Sequence, residues 1–408
     1  MSKPASIWRS GDLSARFIAL SELLVSHQHW WRPRAFFQPV LPWESLHPQL
    51  SVRLRQLPFA DSEHIAADNK LLLDFFGGTA GPLQTAAFTI ADLCAIGALP
   101  ARDMADVAEA RDVPGRKWQQ ILAFTAVLPD TALPATEWCA GKAHLGRHYT
   151  RLGGAAVDAL EYKRSLVDAG NEISQRESLP ATSHCVDVLR PAANDFLRGE
   201  RQVLALHACG QLHLHLLHEC TTFKPRAIAL APCCYQLQDD DFYAPLSIQA
   251  RKVALPLSRL DLHTAVQESV TSPERVLRQR RQLQAWRLGF DVLQREVRGV
   301  DDYLHTPSQP LSILHNGFEQ FCLAMARHCE ITVPTTTDFL RYEHLGQGRL
   351  IEVTALDLPR MLFRRALELW LVLDRALYLQ QSGYDVSVGT FCERALTPRN
   401  LLIQAWRS

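Results

Sequence analysis

The sequence lacks a net charge and a long apolar run. Its 408 residues contain 43 Lys and Arg against 43 Asp and Glu, which argues against an electrostatic grip of the whole protein on nucleic acid. No uninterrupted apolar run approaches the roughly 20 residues of a membrane-spanning helix, so we expect no membrane insertion. Any basic surface must therefore be local.

Cysteines are also few for this length. The ten cysteines are spread along the chain and include no Cys-x-x-Cys pair, the spacing typical of many zinc sites. The start, Met1–Pro4, leads into a polar helical pattern rather than an apolar segment with a cleavage site, so no signal peptide is expected. These absences predict reduced thiols, a cytoplasmic protein and no bound metal.

What the sequence has is enough apolar material for a folded protein. Hydrophobic residues make up 47% and charged residues 21%, as in ordinary globular domains. Apolar residues recur at helical spacing from Asp12 to His27, and we expect residues 1–110 to form a mostly helical N-terminal extension. Its tryptophans Trp30 and Trp31 would stack on bases if exposed, but we favour burial, the usual state of tryptophan.

From residue 136 the sequence alternates short apolar strands with helices, a pattern typical of a parallel sheet buried on both faces. The predicted strands cover 136–139, 155–160, 183–188, 202–206 and 226–230. We expect residues 111–235 to form an α/β, Rossmann-like cofactor-binding core. Ligands bind such sheets at the carboxyl ends of the strands.

After residue 235 the strand pattern stops. Residues 236–358 are predicted to be a helical, Arg-rich insertion. In the last segment, 359–408, a helix at Pro359–Gln381 is followed by two strands without a helix between them. Such strands are expected to form an antiparallel pair that completes the core sheet.

The first strand of the core continues into Glu137-Trp138-Cys139-Ala140-Gly141-Lys142-Ala143-His144. Gly141 permits a sharp turn and a close approach of the backbone to a ligand, and the helix that follows offers free N–H groups at its start. The same features suit a pyrophosphate or the amino-acid end of S-adenosylmethionine.

Three features favour S-adenosylmethionine. The turn lacks the full Gly-x-Gly-x-x-Gly pattern of dinucleotide sites, and Glu137 suits the ammonium group of a methionine. Glu161, after the second strand, can accept both ribose hydroxyls, and Asp187, after the third, can accept from the adenine amino group. The predicted cofactor-binding residues are Glu137, Ala140, Gly141, Lys142, His144, Glu161, Asp187 and His207.

His207, Cys209, Cys233 and Cys234 follow the fourth and fifth strands, and three interpretations of them stay open. A zinc site has suitable ligand types, but the adjacent cysteines are a poor tetrahedral spacing. An active-site wall would use His207 as a general base and Tyr235 to close over the transferred methyl group. Small thiols also simply pack well at strand ends. The candidate catalytic residues are His207 and Tyr235, with Cys209 a candidate substrate contact.

Residues 273–298 form the most basic segment, with seven arginines in one helical pattern. Such a helix could lie along a phosphate backbone, or it could be an ordinary amphipathic helix whose charges are solvated. From it we name Arg278 and Arg281 as candidate substrate-binding residues. Lys117 is a third candidate, because its helix immediately precedes the first core strand.

Three blocks of the sequence resemble a known family. They are Glu137–Arg147, Leu206-His207-Ala208-Cys209-Gly210 and Pro232-Cys233-Cys234-Tyr235. They resemble a methyltransferase-domain family that includes the glutathione S-transferase C-terminal-domain-containing protein. More distantly, they resemble the eukaryotic tRNA 2′-O-methyltransferases with a paired-cysteine motif. The resemblance covers residues 111–408 and implies a seven-stranded class I methyltransferase sheet.

The chain departs from that family in two places. Ala143 stands where family turns usually have a second glycine, and Tyr235-Gln236 stand where the tRNA enzymes have two histidines. We predict an S-adenosylmethionine-dependent methyltransferase that acts on RNA, tRNA first, through the basic helix 273–298. The alternatives are a protein or small-molecule acceptor, a non-catalytic binding protein, and a nicotinamide-dependent oxidoreductase, which the incomplete glycine pattern disfavours.

Overall fold

The computed structural model describes residues 6–78, 80–103, 113–128, 132–153, 155–267 and 274–407. The chain folds into two compact units. The sheet unit comprises Met1–Ser26, Asp92–Gln267 and Arg364–Ser408, and the helical unit comprises His27–Ala91 and Glu268–Phe363. Residues 111–112, at the predicted start of the core, and Pro273, at the predicted start of the basic helix, lie outside the described residues.

The strands are β1 (Trp8–Arg9), β2 (Ala135–Trp138), β3 (Val157–Glu161), β4 (Ala181–Cys185), β5 (Gln202–Ala205), β6 (Ala227–Leu230), β7 (Asp385–Thr390) and β8 (Leu401–Trp406). The helices up to β7 are α1 (Leu13–Ser26), α2 (Gln28–Trp31), α3 (Pro48–Arg55), α4 (Phe59–Ala67), α5 (Asn69–Gly77), α6 (Gln84–Leu93), α7 (Gly115–Ala126), α8 (His144–Arg151), α9 (Arg164–Arg176), α10 (Gln211–Phe223), α11 (Ile248–Arg251), α12 (Arg259–Val266), α13 (Glu274–Arg298), α14 (Gly317–His328), α15 (Phe339–Leu356), α16 (Leu358–Leu362) and α17 (Arg364–Gln381). Short 3₁₀ helices cover Pro191–Leu197 and Leu311–Asn316.

One sheet organises the sheet unit. In the described part of the chain it has eight strands in the order β1-β7-β8-β6-β5-β2-β3-β4. Strands β2 to β6 are parallel, whereas β8 pairs antiparallel with both β6 and β7. The predicted α/β class and the C-terminal antiparallel pair are confirmed. Strands β2, β5 and β6 are buried along their whole length, and the apolar runs at β5 and β6 indicated this burial.

The predicted strand count of seven is wrong by one. Strand β1 adds an eighth strand by pairing antiparallel with β7, with Trp8 opposite Val388. Two residues are too short to show a period of two in the sequence, so only the edge of the sheet makes this segment a strand.

The first 110 residues do not behave as one extension. Helix α1 packs on α17 in the sheet unit, where the rings of Phe17 and Trp370 lie 5.1 Å apart and the Trp370 indole N–H donates to Ser21 Oγ at 2.9 Å. Trp30 and Trp31, in the helical unit, are buried, which confirms packing rather than exposure. The helical period identified these helices, but the period does not say which partner buries them.

Two further differences concern element bounds. The predicted helix at Pro359–Gln381 is divided at Phe363 into α16 and α17. Strand β4 ends at Cys185, so Asp187 lies two residues beyond the strand in which it was placed. None of the helices in the described ranges combines the length and the apolar character that crossing a lipid bilayer requires.

Candidate cofactor site at the carboxyl edge of the sheet

A cavity lies where the parallel strands end. Its lining residues are Lys117, Ile121, Glu137, Trp138, Cys139, Ala140, Gly141, His144, Leu145, Glu161, Leu206 and His207. The enclosed part measures about 110 Å³, less than the roughly 300–1,000 Å³ of sites that surround a whole small ligand. It therefore suits one end of an extended cofactor, with the remainder lying along the strand ends.

The loop between β2 and α8 forms the floor of this cavity. Three alternate residues, Cys139, Gly141 and Ala143, have left-handed backbone with φ of 60°, 59° and 55°. This conformation costs residues with a side chain roughly 1–2 kcal/mol, so the surrounding packing must hold Cys139 and Ala143 in place. The resulting tight loop brings the Gly141 N–H and the start of α8 to the strand ends.

Ala143, the departure from the family pattern, does not face the cavity. Its methyl group is fully buried and packs with Ala140 and Ala159. The extra methyl group is therefore part of the core beneath the loop and leaves the approach of a ligand unobstructed.

Glu161 is tied to the loop by its side chain. One carboxylate oxygen accepts from the Gly141 N–H at 2.9 Å, and the other accepts from the Lys163 N–H at 3.0 Å. Each oxygen keeps a lone pair for a further donor. The end of β3 thus presents a fixed carboxylate to the cavity.

Glu137 is the buried acid of the site. The side chain on β2 is 6% exposed, and its Oε2 accepts from the Gly146 N–H of α8 at 2.8 Å. Burial raises the pKa of Glu137 to about 7, although the Gly146 N–H, Lys117 and Arg147 oppose the rise. The ionised carboxylate is therefore incompletely compensated, and a ligand cation would stabilise it.

Lys117 and His207 approach from α7 and from the end of β5. The Lys117 Nζ lies 4.0 Å from the position that a Cβ on Gly141 would occupy. Loss of solvation, with the Lys117 ammonium as the next cause, lowers the pKa of His207 below its usual value. The imidazole is therefore neutral at physiological pH and able to accept a proton.

The start of α8 is held by Arg147. Its guanidinium donates to the Lys142 carbonyl at 2.5 Å and lies 3.0 Å from His144 Nδ1. His144, predicted to bind the cofactor, lines the cavity. Lys142, also predicted to bind it, does not line the cavity, and its carbonyl accepts the hydrogen bond from Arg147. Arg147 ends the first of the three resembling blocks, but its role could not be predicted, because its contacts depend on the fold of the loop.

Asp187 and Cys209 stand beside the cavity rather than in its lining. The Asp187 carboxylate accepts from the Leu189 N–H at 3.0 Å and lies 3.6 Å from the Arg190 guanidinium. Its charge acts, with that of Glu161, on the Cys139 thiol, whose pKa rises to about 12 mainly through burial. Asp187 thus lies near the loop, on the side of β4, where the adenine end was predicted.

Tyr235 has a different place from the one predicted. It is 1% exposed, its hydroxyl donates to the Pro232 carbonyl at 3.4 Å, and the Arg375 guanidinium lies 4.9 Å from the centre of its ring. Tyr235 does not line the cavity, and burial raises its pKa. It supports the loop after β6 from within the core, because an apolar ring this large is most stable when enclosed.

The loops after β5 and β6 are locked together at Gly210. The Gly210 N–H donates to the Cys233 carbonyl at 3.1 Å, and the Gln211 N–H donates to the Leu237 carbonyl at 2.6 Å. A Cβ on Gly210 would lie 1.8 Å from the Leu237 oxygen, so only glycine fits. Two blocks that the sequence singled out therefore form one structural joint beside the cavity.

The predicted arginines of α13 belong to the helical unit. Arg281 forms ion pairs with Glu63 at 2.6 Å and Glu274 at 3.0 Å, whereas Arg278 is exposed. Part of the positive charge of α13 is therefore neutralised within its own unit. The role of both arginines in substrate binding stays a prediction.

The sheet has the mostly parallel, Rossmann-like order that was predicted, with the antiparallel β7–β8 pair beside β6. Residues 116–240 match the family model described as a methyltransferase domain. This range holds every lining residue of the cavity. The chain therefore contains a methyltransferase domain, which supports the predicted enzyme class and S-adenosylmethionine as the cofactor.

Among solved structures, the chain is similar to a putative sarcosine dimethylglycine methyltransferase from Galdieria sulphuraria, with 19% identity over 28% of this chain and 44% of that chain and a TM-score of 0.22. It is also similar to magnesium protoporphyrin IX methyltransferase from Synechocystis, with 14% identity over 40% of this chain and 71% of that chain and a TM-score of 0.23. The chain spans less than half the length of the first of these proteins. No curated protein matches the sequence.

Proposed function

We propose that this protein transfers the methyl group of S-adenosylmethionine to RNA, with tRNA the first acceptor to test. The observation that carries the proposal is the placement of Glu137 and Glu161 on either side of the Gly141 loop, each hydrogen-bonded to a backbone N–H. One carboxylate suits the ammonium group of the cofactor and the other suits its ribose hydroxyls.

The donor and acceptor set of the cavity fits this cofactor. Glu137 is a buried carboxylate with a raised pKa, so a cation beside it relieves the cost of its burial. Glu161 has acceptor capacity left after its two backbone bonds. The start of α8 favours the cofactor carboxylate, because the dipole of a helix is positive at its first turn.

The residues of the cavity act mainly by alignment. When bound, S-adenosylmethionine supplies an electrophilic methyl group. Holding acceptor and cofactor in line is itself worth several kcal/mol of the barrier. His207, neutral because of its lowered pKa, is placed at the end of β5 to remove a proton from a hydroxyl or amino acceptor.

The RNA acceptor is supported by α13 and by the distant resemblance to tRNA 2′-O-methyltransferases. Arg275 and Arg278 are exposed on α13, and phosphate contacts by arginines dominate the affinity of proteins for nucleic acids. Arg281 and Arg295 contribute less, because each is already paired with carboxylates.

Calorimetry tests the cofactor directly. The full chain should bind S-adenosylmethionine and S-adenosylhomocysteine with one site per chain and should not bind NAD. Binding of NAD alone would identify a nicotinamide-dependent oxidoreductase and overturn the proposal.

The acceptor is tested by incubating the protein with tritiated S-adenosylmethionine and total tRNA, a protein extract or a small-molecule extract. We expect label in tRNA that ribonuclease releases. Label found only in the protein or small-molecule fraction would show that the acceptor is a protein or a small molecule and not tRNA. Cofactor binding without transfer to any fraction would indicate a binding protein that keeps the fold.

A further inference from the structure

A cluster of three thiols lies beside the cofactor cavity. The sulfur atoms of Cys209, Cys233 and Cys234 lie within 4.8 Å of one another, and those of Cys209 and Cys233 are 3.2 Å apart. Cys209 follows β5 and the other two follow β6, and Cys209 pairs with Cys233 as an isolated parallel bridge. The loops that carry all three sulfurs are fixed to each other.

The backbone explains how two adjacent cysteines share a side. Consecutive residues of a strand point in opposite directions, which is why the pair Cys233-Cys234 is a poor metal spacing in a sequence. Cys234, however, lies beyond the end of β6 and has a left-handed φ of 47°. The strand alternation is broken there, and the Cys234 sulfur turns toward the other two.

The distances suit one metal ion. In a tetrahedral zinc site with Zn–S bonds of about 2.3 Å, the sulfurs lie about 3.8 Å apart. The observed separations, from 3.2 Å to at most 4.8 Å, bracket that value. Thiolates select soft or borderline cations over Mg²⁺ and Ca²⁺, and a disulfide would use only two of the three sulfurs.

The thiol cluster is accessible to ions from solvent. Cys233 is 7% exposed, but Cys209 and Cys234 are only half-buried, so an ion can reach the cluster from solvent. Three protein ligands leave a fourth coordination position for water or another ligand, the pattern of reactive rather than purely structural zinc sites.

We propose that Cys209, Cys233 and Cys234 form a binding site for one thiophilic divalent cation, with Zn²⁺ the expected ion. The proposal does not depend on the identity of the methyl acceptor or on cofactor binding. Metal binding would explain the adjacent cysteines, which neither the cofactor cavity nor the backbone hydrogen bonds at Gly210 explain.

The test uses Co²⁺ as a spectroscopic probe on the full chain, reduced with a phosphine and freed of metal with a chelator. We expect a thiolate-to-cobalt charge-transfer band that saturates at one Co²⁺ per chain and is displaced by Zn²⁺. Cys209→Ser and Cys234→Ser change half-buried positions. Each should weaken Co²⁺ binding by more than the roughly 10–100-fold that is lost when a residue contacting a metal ligand is mutated. The exposed Cys185→Ser should bind like the wild type.

Circular dichroism and S-adenosylhomocysteine calorimetry of each variant establish that the sheet unit is folded. The absence of a charge-transfer band in the reduced wild type would overturn the proposal. So would unchanged Co²⁺ affinity in both folded variants, since the ion would then be bound elsewhere.

Discussion

The carboxylate of Glu161 accepts a hydrogen bond from the backbone N–H of Gly141 at 2.9 Å, which joins the end of β3 to the loop after β2. The bond fixes the orientation of the carboxylate at the end of β3. It also holds a left-handed residue, Gly141, in the lining of the cavity. One side chain thus sets both the shape of the loop and the charge of the site.

Glu161→Ala is expected to abolish most of the cofactor affinity. If Glu161 accepts from both ribose hydroxyls as proposed, the variant loses two charge-assisted hydrogen bonds, each worth about 1.5–3 kcal/mol. Binding of S-adenosylhomocysteine should then weaken at least ~100-fold. Glu172→Ala, at an exposed position of the next helix, is the matched control and should leave calorimetric affinity unchanged. A loss of only a few-fold in Glu161→Ala would place the ribose elsewhere.

Cofactor binding should release a proton near neutral pH. Glu137 has a pKa of about 7 in the free protein, and the cofactor ammonium favours the carboxylate, so affinity should rise as the pH increases from 6 to 8. Calorimetry in buffers of different ionisation enthalpy measures the proton released. In Glu137→Gln the release and this pH dependence should disappear, and an unchanged profile would exclude Glu137 as the group.

The same shift predicts how stability depends on pH. The folded pKa of Glu137, about 7, is raised above the model-peptide value of 4.5, so the folded state binds the extra proton and stability falls as pH rises from about 4.5 to about 7. The side chain of Glu137→Gln is always neutral. At pH 8 the free energy of unfolding of this variant, measured by denaturant titration, should exceed that of the wild type by up to ~3 kcal/mol. The two proteins should converge below pH 4.5.

Gly146→Ala should destabilise the protein, although alanine normally favours a helix. A Cβ at this position would lie 2.8 Å from both Glu137 Oε2 and Val157 Cγ1. We expect a loss of about 2 kcal/mol from overpacking together with weaker cofactor binding. Gly348→Ala in α15, where nothing lies within 4 Å, should instead gain about 0.5–1 kcal/mol. Equal effects in denaturant unfolding would contradict the packing argument.

Arg375→Met should destabilise the sheet unit and loosen the loop that carries His207. The buried guanidinium donates to His213 Nε2 at 2.9 Å and to the Tyr243 hydroxyl at 3.2 Å, and His213 Nδ1 lies 3.0 Å from the Ala208 carbonyl. Leaving these groups unpaired costs roughly 1–3 kcal/mol each. Denaturant unfolding measures the loss, and the exposed Arg164→Met should change stability by less than ~0.5 kcal/mol.

Neutralising Arg275 and Arg278 should change RNA binding in a way that salt titration detects. If both arginines contact phosphates, the double alanine variant should lower the slope of log affinity against log salt by roughly 0.7–0.9 per arginine. Cofactor affinity should not change. A weaker RNA affinity with an unchanged slope would show that these arginines do not neutralise phosphates.

Much of the fold could be predicted because buried strands and helices need apolar residues at regular positions in the sequence. Strands buried on both faces need apolar runs, so β5 and β6 were found within one residue. Strand β2 was found from the glycine turn that follows it. Glu137, Gly141 and Glu161, which line the cavity, were predicted together because a strand end, a glycine turn and a following acid recur at a spacing that needs no tertiary information. Their role in cofactor binding stays a prediction. The edge strand β1 and the break between α16 and α17 carry no such pattern.

The sequence by itself therefore determined the succession of strands and helices along the chain and the acids at the strand ends, since these follow from local periodicity. The tertiary structure decided which side chains meet. It placed Tyr235 in the core against Arg375 rather than over the cavity, and it turned the Cys234 sulfur toward Cys209 through a left-handed residue. Such contacts join residues far apart in the chain or reverse a local alternation, so no spacing in the sequence encodes them.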